Sequence, residues 1–446
     1  MRPALRIGTG AGYAGDRISP AVDLVREGGL DYIIFECLAE RTVAKAQLAR
    51  AKDPDKGYDP LLDRRMRAVL PLCIANGTRI VSNMGAANPR KAGERIARIA
   101  RELGLPPIRI AVVEGDDVHA LLTGDTPILE TGAPLDSLGD TVFSGNAYLG
   151  AAPVLQALQQ GADVVITGRV ADPSLFVGPI LHHFGWGLDD WPRLGFATMA
   201  GHLLECGAQI TGGYFADPGC KTVPDLDRVG FPIGELFEDG SLVIGKLAGS
   251  GGTITPATCK EQLLYEVFDP AGYITPDVIA DFSQVEVESL GQDRVRLKGA
   301  SGRPAPATLK VSIGYRAGFL GEAQISYAGC SAVDRAGLAL DVVRRRLERV
   351  APGIAAEFDV LGTHALLPTG LDAPRPHEAT ARVAALCDDE QLAQRVGEEV
   401  EALYVNGPAG GGGVRRSVEE VIAICSSLMA RDLVTPRLSF IDSHAG

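Results

Sequence analysis

The sequence predicts an α/β protein, with an N-terminal, mostly parallel sheet flanked by helices and a C-terminal α+β domain. Two observations carry this reading. Short runs that are apolar throughout alternate with helical stretches over the first half, as in a parallel sheet covered on both faces. Near residue 270 the pattern changes to strict polar–apolar alternation, the mark of half-exposed antiparallel strands. The domains expected are 1–268 and 269–446. An open doubly wound sheet fits the first best. An irregular barrel is the alternative, because eight clean strand–helix units are not visible.

The elements follow in order. "ALRIGTG" is a strand ending in a glycine loop, and "LDYIIFE" a buried strand ending at Glu36. "TRIVSN" ends at Asn83, "IRIAVVEGDD" in an acidic cluster, and "ADVVITGR" at Arg169. Helical stretches such as 91–104 and 151–160 separate them, and "AQITGGYF" and "SLVIGKLAGSGG" add two further strand candidates. Beyond the change of pattern, "FSQVEVESLGQDRVRLKGASG" reads as a hairpin and "ATLKVSIGYRAGFLGEAQISYAG" as a second antiparallel pair. Residues 331–350 form an amphipathic helix, and "FDVLGTHALLP" and "EALYV" are short strands. Apolar residues at helical spacing after Val414 then place Gly410, Gly411, Gly412 and Gly413 at a strand-to-helix junction.

Composition narrows the function classes. With 46% hydrophobic and 22% charged residues the chain is an ordinary globular protein. A net charge of −13 argues against nucleic acid or an anionic membrane as partner. The 8 cysteines form no CxxC pair in a chain of 446 residues, so reduced, mostly buried thiols are expected. No signal peptide opens the chain and no apolar run reaches transmembrane length, which predicts a cytoplasmic protein. The 7 histidines show no HExxH or HxH spacing, and no nucleophile elbow or phosphate loop is present. His202, within "GHLLECGAQ", reads as a structural histidine.

In a parallel sheet, ligands gather at the carboxyl ends of the strands. Glu36 and Glu114 there are candidate bases, provided burial raises their pKa. Arg169 is suited to a two-point pair with a substrate carboxylate. Asn83, Asn88, Asn146 and Tyr148 are candidate substrate-binding groups. Each has a plainer reading: Asn88-Pro89 and Asp172-Pro173 both resemble helix starts, and the polar strand ends form a hydrogen-bond network in any case. The Glu114–Asp117 cluster offers oxygen ligands to a divalent cation, or is only a solvated turn. "GTGAG" departs from the dinucleotide fingerprint, which counts against a nicotinamide enzyme. The glycine run, followed by Arg415, invites an anion such as a phosphate or carboxylate, including that of a CoA moiety, through backbone N–H groups and a helix start. The competing account is a close-packed turn.

Taken together, "SNMGAANP", "NAYLGAAPVLQALQQGADVVITGRVADPSLFVGPI", "GHLLECGAQITGGYF" and "NGPAGGGG" resemble the acyclic terpene utilisation family, AtuA. The resemblance covers most of residues 5–440. It implies a role in breaking down branched, carboxylated acyl-CoA or hydroxy-acid intermediates, which favours a lyase or hydratase. A non-catalytic acyl-CoA-binding or scaffold subunit is the alternative. Longer members carry a further C-terminal ferredoxin-like domain, so the resemblance also implies homo-oligomers or a separate small subunit of that kind. The charged hairpin at 285–297 offers an edge for such pairing.

Overall fold

The computed structural model describes residues 4–363, 365–366 and 376–444. In chain order, the first segments are β1 (Leu5–Ala11), α1 (Ser19–Glu27), β2 (Tyr32–Phe35), α2 (Glu40–Lys52), α3 (Leu62–Asn76), β3 (Arg79–Ser82), α4 (Pro89–Glu102) and β4 (Arg109–Glu114). There follow β5 (Val142–Ala147), α5 (Ala152–Gln159), β6 (Val164–Thr167), α6 (Ser174–Phe184), α7 (Trp191–Glu205), β7 (Pro232–Leu236), β8 (Ser241–Lys246) and α8 (Pro256–Leu264). Short strands β9 (Tyr273–Ile274) and β10 (Ile279–Asp281) precede the hairpin β11 (Glu286–Gly291) and β12 (Arg294–Lys298), then β13 (Ser301–Arg303). The rest comprises β14 (Thr308–Ala328), α9 (Ala332–Val350), β15 (Ala356–Leu361), β16 (Glu378–Cys387), α10 (Glu390–Glu401), α11 (Leu403–Asn406), β17 (Gly412–Ala430) and β18 (Arg437–Asp442).

The main sheet has 10 strands in the order β11-β12-β8-β7-β1-β2-β3-β6-β4-β18. Its middle, β1-β2-β3-β6-β4, is parallel. Antiparallel strands extend it on both sides: β7, β8, β12 and β11 beyond β1, and β18 beyond β4. Strand side chains alternate between faces. Ile33, Phe35, Ile80, Ile110, Val112 and Ile166 join one core with α1, α3 and α4. Ile34, Val81, Ala111, Val113 and Val165 point the other way and are equally buried, where α5, α6 and α7 pack. The sheet is open, so the barrel alternative is set aside. A 3-stranded sheet, β13-β10-β9, and a second large sheet, β15-β16-β14-β17 with β5 attached, complete the set.

The chain divides into two compact units, 1–314 with 424–446, and 315–423. The expected boundary after residue 268 lies inside the first unit. In the second unit α9 and α10 cover one face of β15, β16 and the end of β14, with Val343, Leu347, Val383 and Val396 in the core.

Three stretches differ from expectation. "AQITGGYF" is no strand. It ends α7 in turns, with Gly212 at φ 103° and Tyr214 at φ 67°. The 308–328 run is one long strand, because Gly318, at φ 111°, is accommodated within it instead of making a hairpin turn. The largest correction concerns the glycine run: "ALYV" ends a helix, and Gly412–Ala430 is a strand. Part of "FDVLGTHALLP" lies outside the described residues.

Candidate functional site

The carboxyl ends of β2, β3, β4 and β6 bring several of the expected residues together. Glu36 directly follows β2 and Asn83 directly follows β3, side by side because the strands are paired in register. The Asn83 amide donates to Glu36 Oε1 at 3.0 Å, and the Leu38 N–H donates to the same oxygen at 2.9 Å. The Asn83 carbonyl accepts from the Cys37 N–H at 2.7 Å. Asn83 is therefore committed to aiming Glu36. Burial raises the Glu36 pKa and prevails over the opposing charge of Arg169 and these two hydrogen bonds.

Arg169 is 1% exposed. Its guanidinium lies 4.3 Å from the centre of the Tyr148 ring, a cation–π contact, and Nη2 donates to Asp172. Its Nε is buried without a partner. Asp172 thus serves Arg169 through its side chain, while the start of α6 has no side-chain cap. The Arg169 backbone N–H and the Asn146 amide both donate to Asp116 Oδ2 at 2.9 Å. Burial still lifts the Asp116 carboxyl to about 6.

Tyr148 donates its hydroxyl to Glu40, which also accepts from Lys310 Nζ at 3.1 Å. Burial alone raises Glu40, but the Tyr148 bond, its own backbone N–H and the charges of Lys310 and Arg169 hold it at about 2. Tyr148, Glu40, Lys310 and Asp172 line a cavity of about 340 Å³ together with Glu266 and Tyr273. Prolines, two threonines and the aliphatic residues Ala171, Ile274, Leu309 and Leu428 form the rest of its wall.

A second cavity, of about 620 Å³, holds other expected residues: Glu114, Asn88 and Asn146, with Arg50, Asp117 and Arg437. Asn88 caps α4 through the Lys91 N–H and pins the carbonyls of Pro54 and Lys56 at 2.9 Å and 2.8 Å. Asp117 engages Gln47 at 3.2 Å and Arg50 at 3.6 Å. Among the described residues no cluster of His, Cys, Asp and Glu is arranged to hold a metal ion. Asp116 stands between the two groups, bonded to Asn146 of one and Arg169 of the other.

The glycine run belongs to the second unit, 315–423. Gly410 to Gly413 join α11 to β17, so no helix start and no dipole end lie there. Gly410 and Gly413 take φ 74° and 66°, and a Cβ on Gly411 would meet the Ile325 and Tyr327 side chains. The Val414 N–H is taken by the Tyr404 hydroxyl at 3.2 Å. The "GTGAG" glycines also have packing reasons. A Cβ at Gly10 would strike the Phe35 ring, and one at Gly12 the Cys206 backbone at 2.4 Å.

Residues missed at first are Glu205, Lys310, Tyr273 and Glu266. For Glu205 a signal existed, since it lies three residues after His202 on a mostly apolar helix. Among the described residues no helix is long and apolar enough to cross a membrane. No curated protein and no solved structure matches the chain. A family model does match it over residues 5–440, that of the acyclic terpene utilisation family protein AtuA. With nearly the whole chain covered, the protein belongs to the AtuA family of acyclic terpene utilisation.

Proposed function

We propose that the chain is a lyase or hydratase acting on a branched, carboxylated acyl-CoA or hydroxy acid in acyclic terpene or related catabolism. The observation that carries the reading is the buried pair of Glu36 and Arg169 at the strand ends, beside a half-apolar cavity. Removing a proton next to a carbonyl needs a base whose pKa lies well above that of an ordinary carboxylate. Burial moves Glu36 in that direction, and Asn83 fixes its orientation. Stabilising the resulting enolate, or holding a carboxylate, needs a fixed cation in a dry place. Arg169 supplies it, with Nε unpartnered and its plane fixed by Tyr148 and Asp172. The aliphatic wall suits a branched hydrocarbon part, and Lys310 suits an anionic end.

A second reading, an acyl-CoA-binding subunit without catalysis, draws on Glu40. Held at about 2 and bridged to Tyr148 and Lys310, that group is a permanent anion of the kind a static network uses. Turnover separates the two. The native chain, Arg169→Ala and Glu36→Gln are to be assayed against 3-hydroxybutyryl-CoA, crotonyl-CoA and citramalate, with folding verified by circular dichroism. Losses of about 100-fold or more are expected for both variants. Unchanged turnover in both would remove the scheme, and stabilisation of the native chain by a thioester without turnover would favour the binding subunit.

A further inference from the structure

The end of α7 carries a second buried carboxylate that the scheme above leaves unused. Thr9 of β1 donates its hydroxyl to the Leu204 carbonyl at 2.8 Å, and Gly12 lies against the Cys206 backbone. The two contacts lock the end of α7 to the end of β1, one strand away from Glu36. His202 is 1% exposed and Glu205 8%. The His202 Nδ1 lies 3.1 Å from Glu205 Oε1, and the Gln262 amide holds the His202 carbonyl at 3.1 Å. The imidazole packs on Tyr273, with centroids 5.0 Å apart, and stacks on Phe282 at 5.9 Å. Tyr273 is also a wall of the 340 Å³ cavity.

Two atoms of this dyad, Glu205 Oε2 and His202 Nε2, are buried and have no partner. Leaving a buried polar atom unpaired costs about 1–3 kcal/mol, so structural pairs normally satisfy both ends. A dyad open at both outer atoms, one aromatic ring from a cavity, is arranged to pass a proton. Resting on the lyase or hydratase reading, we propose that Glu205, oriented by His202, is the proton donor that complements Glu36.

The step balances as a dehydration. Glu36 takes the proton from the carbon beside the carbonyl, and that electron pair becomes the new C=C bond. The C–O bond one carbon further breaks, and the proton of Glu205 moves to the departing hydroxyl, which leaves as water. Glu36 ends protonated and Glu205 ionised, and exchange with solvent restores both. Hydration is the reverse. The groups facing Glu205 fit a donor: His202 and Cys206 along its own segment, Glu36 from the end of β2, Glu266 from the loop after α8, and Tyr273 from β9. Burial raises the carboxyl, and the Glu36 and Glu266 charges add to it. Together they outweigh the His202 bond and hold the group at about 7. His202 is a positioning residue.

The test has two arms on the full chain. In the first, ¹³C NMR of labelled glutamate carboxyls follows the native chain, Glu205→Gln and Glu36→Gln with pH. One carboxyl is expected to titrate near 7, to vanish in Glu205→Gln and to titrate lower in Glu36→Gln. Titration of Glu205 in the ordinary carboxylate range overturns the inference. In the second arm, 3-hydroxybutyryl-CoA and citramalate are the probes. Glu205→Gln is expected to lower kcat about 100-fold, and His202→Gln to displace the alkaline limb of the kcat profile. Native turnover retained by Glu205→Gln overturns this inference alone. Absence of turnover in the native chain, with the carboxyl still titrating near 7, sinks the lyase or hydratase reading and the donor role with it.

Discussion

Replacing Asp116 by Asn tests the electrostatics of the strand ends without any substrate. Asp116 is 4% exposed, and one of its oxygens accepts both the Arg169 N–H and the Asn146 amide at 2.9 Å. Burial moves its carboxyl from 3.8 to about 6. The folded state therefore binds this proton more tightly than the unfolded chain. The associated stability is fully present below pH 4 or so and is lost as pH rises through about 6. Some two units at about 1.4 kcal/mol each give roughly 3 kcal/mol. Asn keeps an oxygen for both donors and carries no charge, so the variant does not pay this at high pH. Its added amide hydrogens, if left unpaired, take back about 1 kcal/mol or more. Relative to the native chain, Asp116→Asn should gain about 2 kcal/mol between pH 4.5 and pH 8, because the native loss has already begun by pH 4.5. Both tryptophans, Trp186 and Trp191, belong to the first unit, so their fluorescence during urea unfolding reports that unit alone. A pH-independent difference between the two proteins, or one that turns against the variant as pH rises, would refute the argument.

Three further outcomes are expected. Arg65 is fully buried, 3.3 Å from Asp59 and 2.9 Å from the Ala14 carbonyl, so Arg65→Met should destabilise the first unit by about 3–5 kcal/mol. Adding Asp59→Asn should recover part of that loss, and failure to do so would show that the pair is not what matters. In the glycine run, Gly410→Ala forces a side chain into φ 74° and should cost about 1 kcal/mol, read as a fall in thermal midpoint. Gly412→Ala, where a Cβ meets nothing and φ is not positive, should stay within about 0.5 kcal/mol, and equal costs at both positions would contradict the left-handed argument.

The central sheet was legible because its strands are buried on both faces and so read as unbroken apolar runs. The strand-end rule then led to Glu36, Asn83 and Arg169, which the structure brings together. The glycine run was misread for a physical reason. Val414, Val418 and Ile422 recur every four residues, a spacing that fits a helix turn and equally a strand's alternation. The β-branched residues Val418, Val421, Ile422 and Ile424 were the better guide, since their side chains suit a pleated surface. Asp172 looked like a helix cap, but the demand of a buried guanidinium outweighed a local turn preference. For Glu205 only the three-residue spacing from His202 was readable, and its surroundings were not. Its neighbours Glu36, Glu266 and Tyr273 come from distant segments, which no local pattern brings together.

The arrangement also bears on how the proposed site would treat an anion. Glu36, Asp116 and Glu205 are all raised by burial, while Arg169 already serves Asp172 through Nη2 and keeps a buried Nε unpartnered. With Glu36 and Glu205 ionised, the neighbourhood repels a carboxylate. With either protonated, the Arg169 charge is less fully answered and an anion is welcome. By linkage, the same coupling means that a bound carboxylate raises those two pKa values further, so binding takes up protons. Citramalate should therefore bind more weakly as pH rises through 7, by at most about tenfold per pH unit for one coupled proton. Calorimetry at pH 7 in two buffers of different ionisation enthalpy measures the uptake directly, and a value between 0 and about 1 proton is expected. Glu205→Gln should reduce it, because the amide cannot take the proton. Proton release on binding, or uptake that Glu205→Gln leaves unchanged, would show that the anion is held somewhere other than beside these carboxyls.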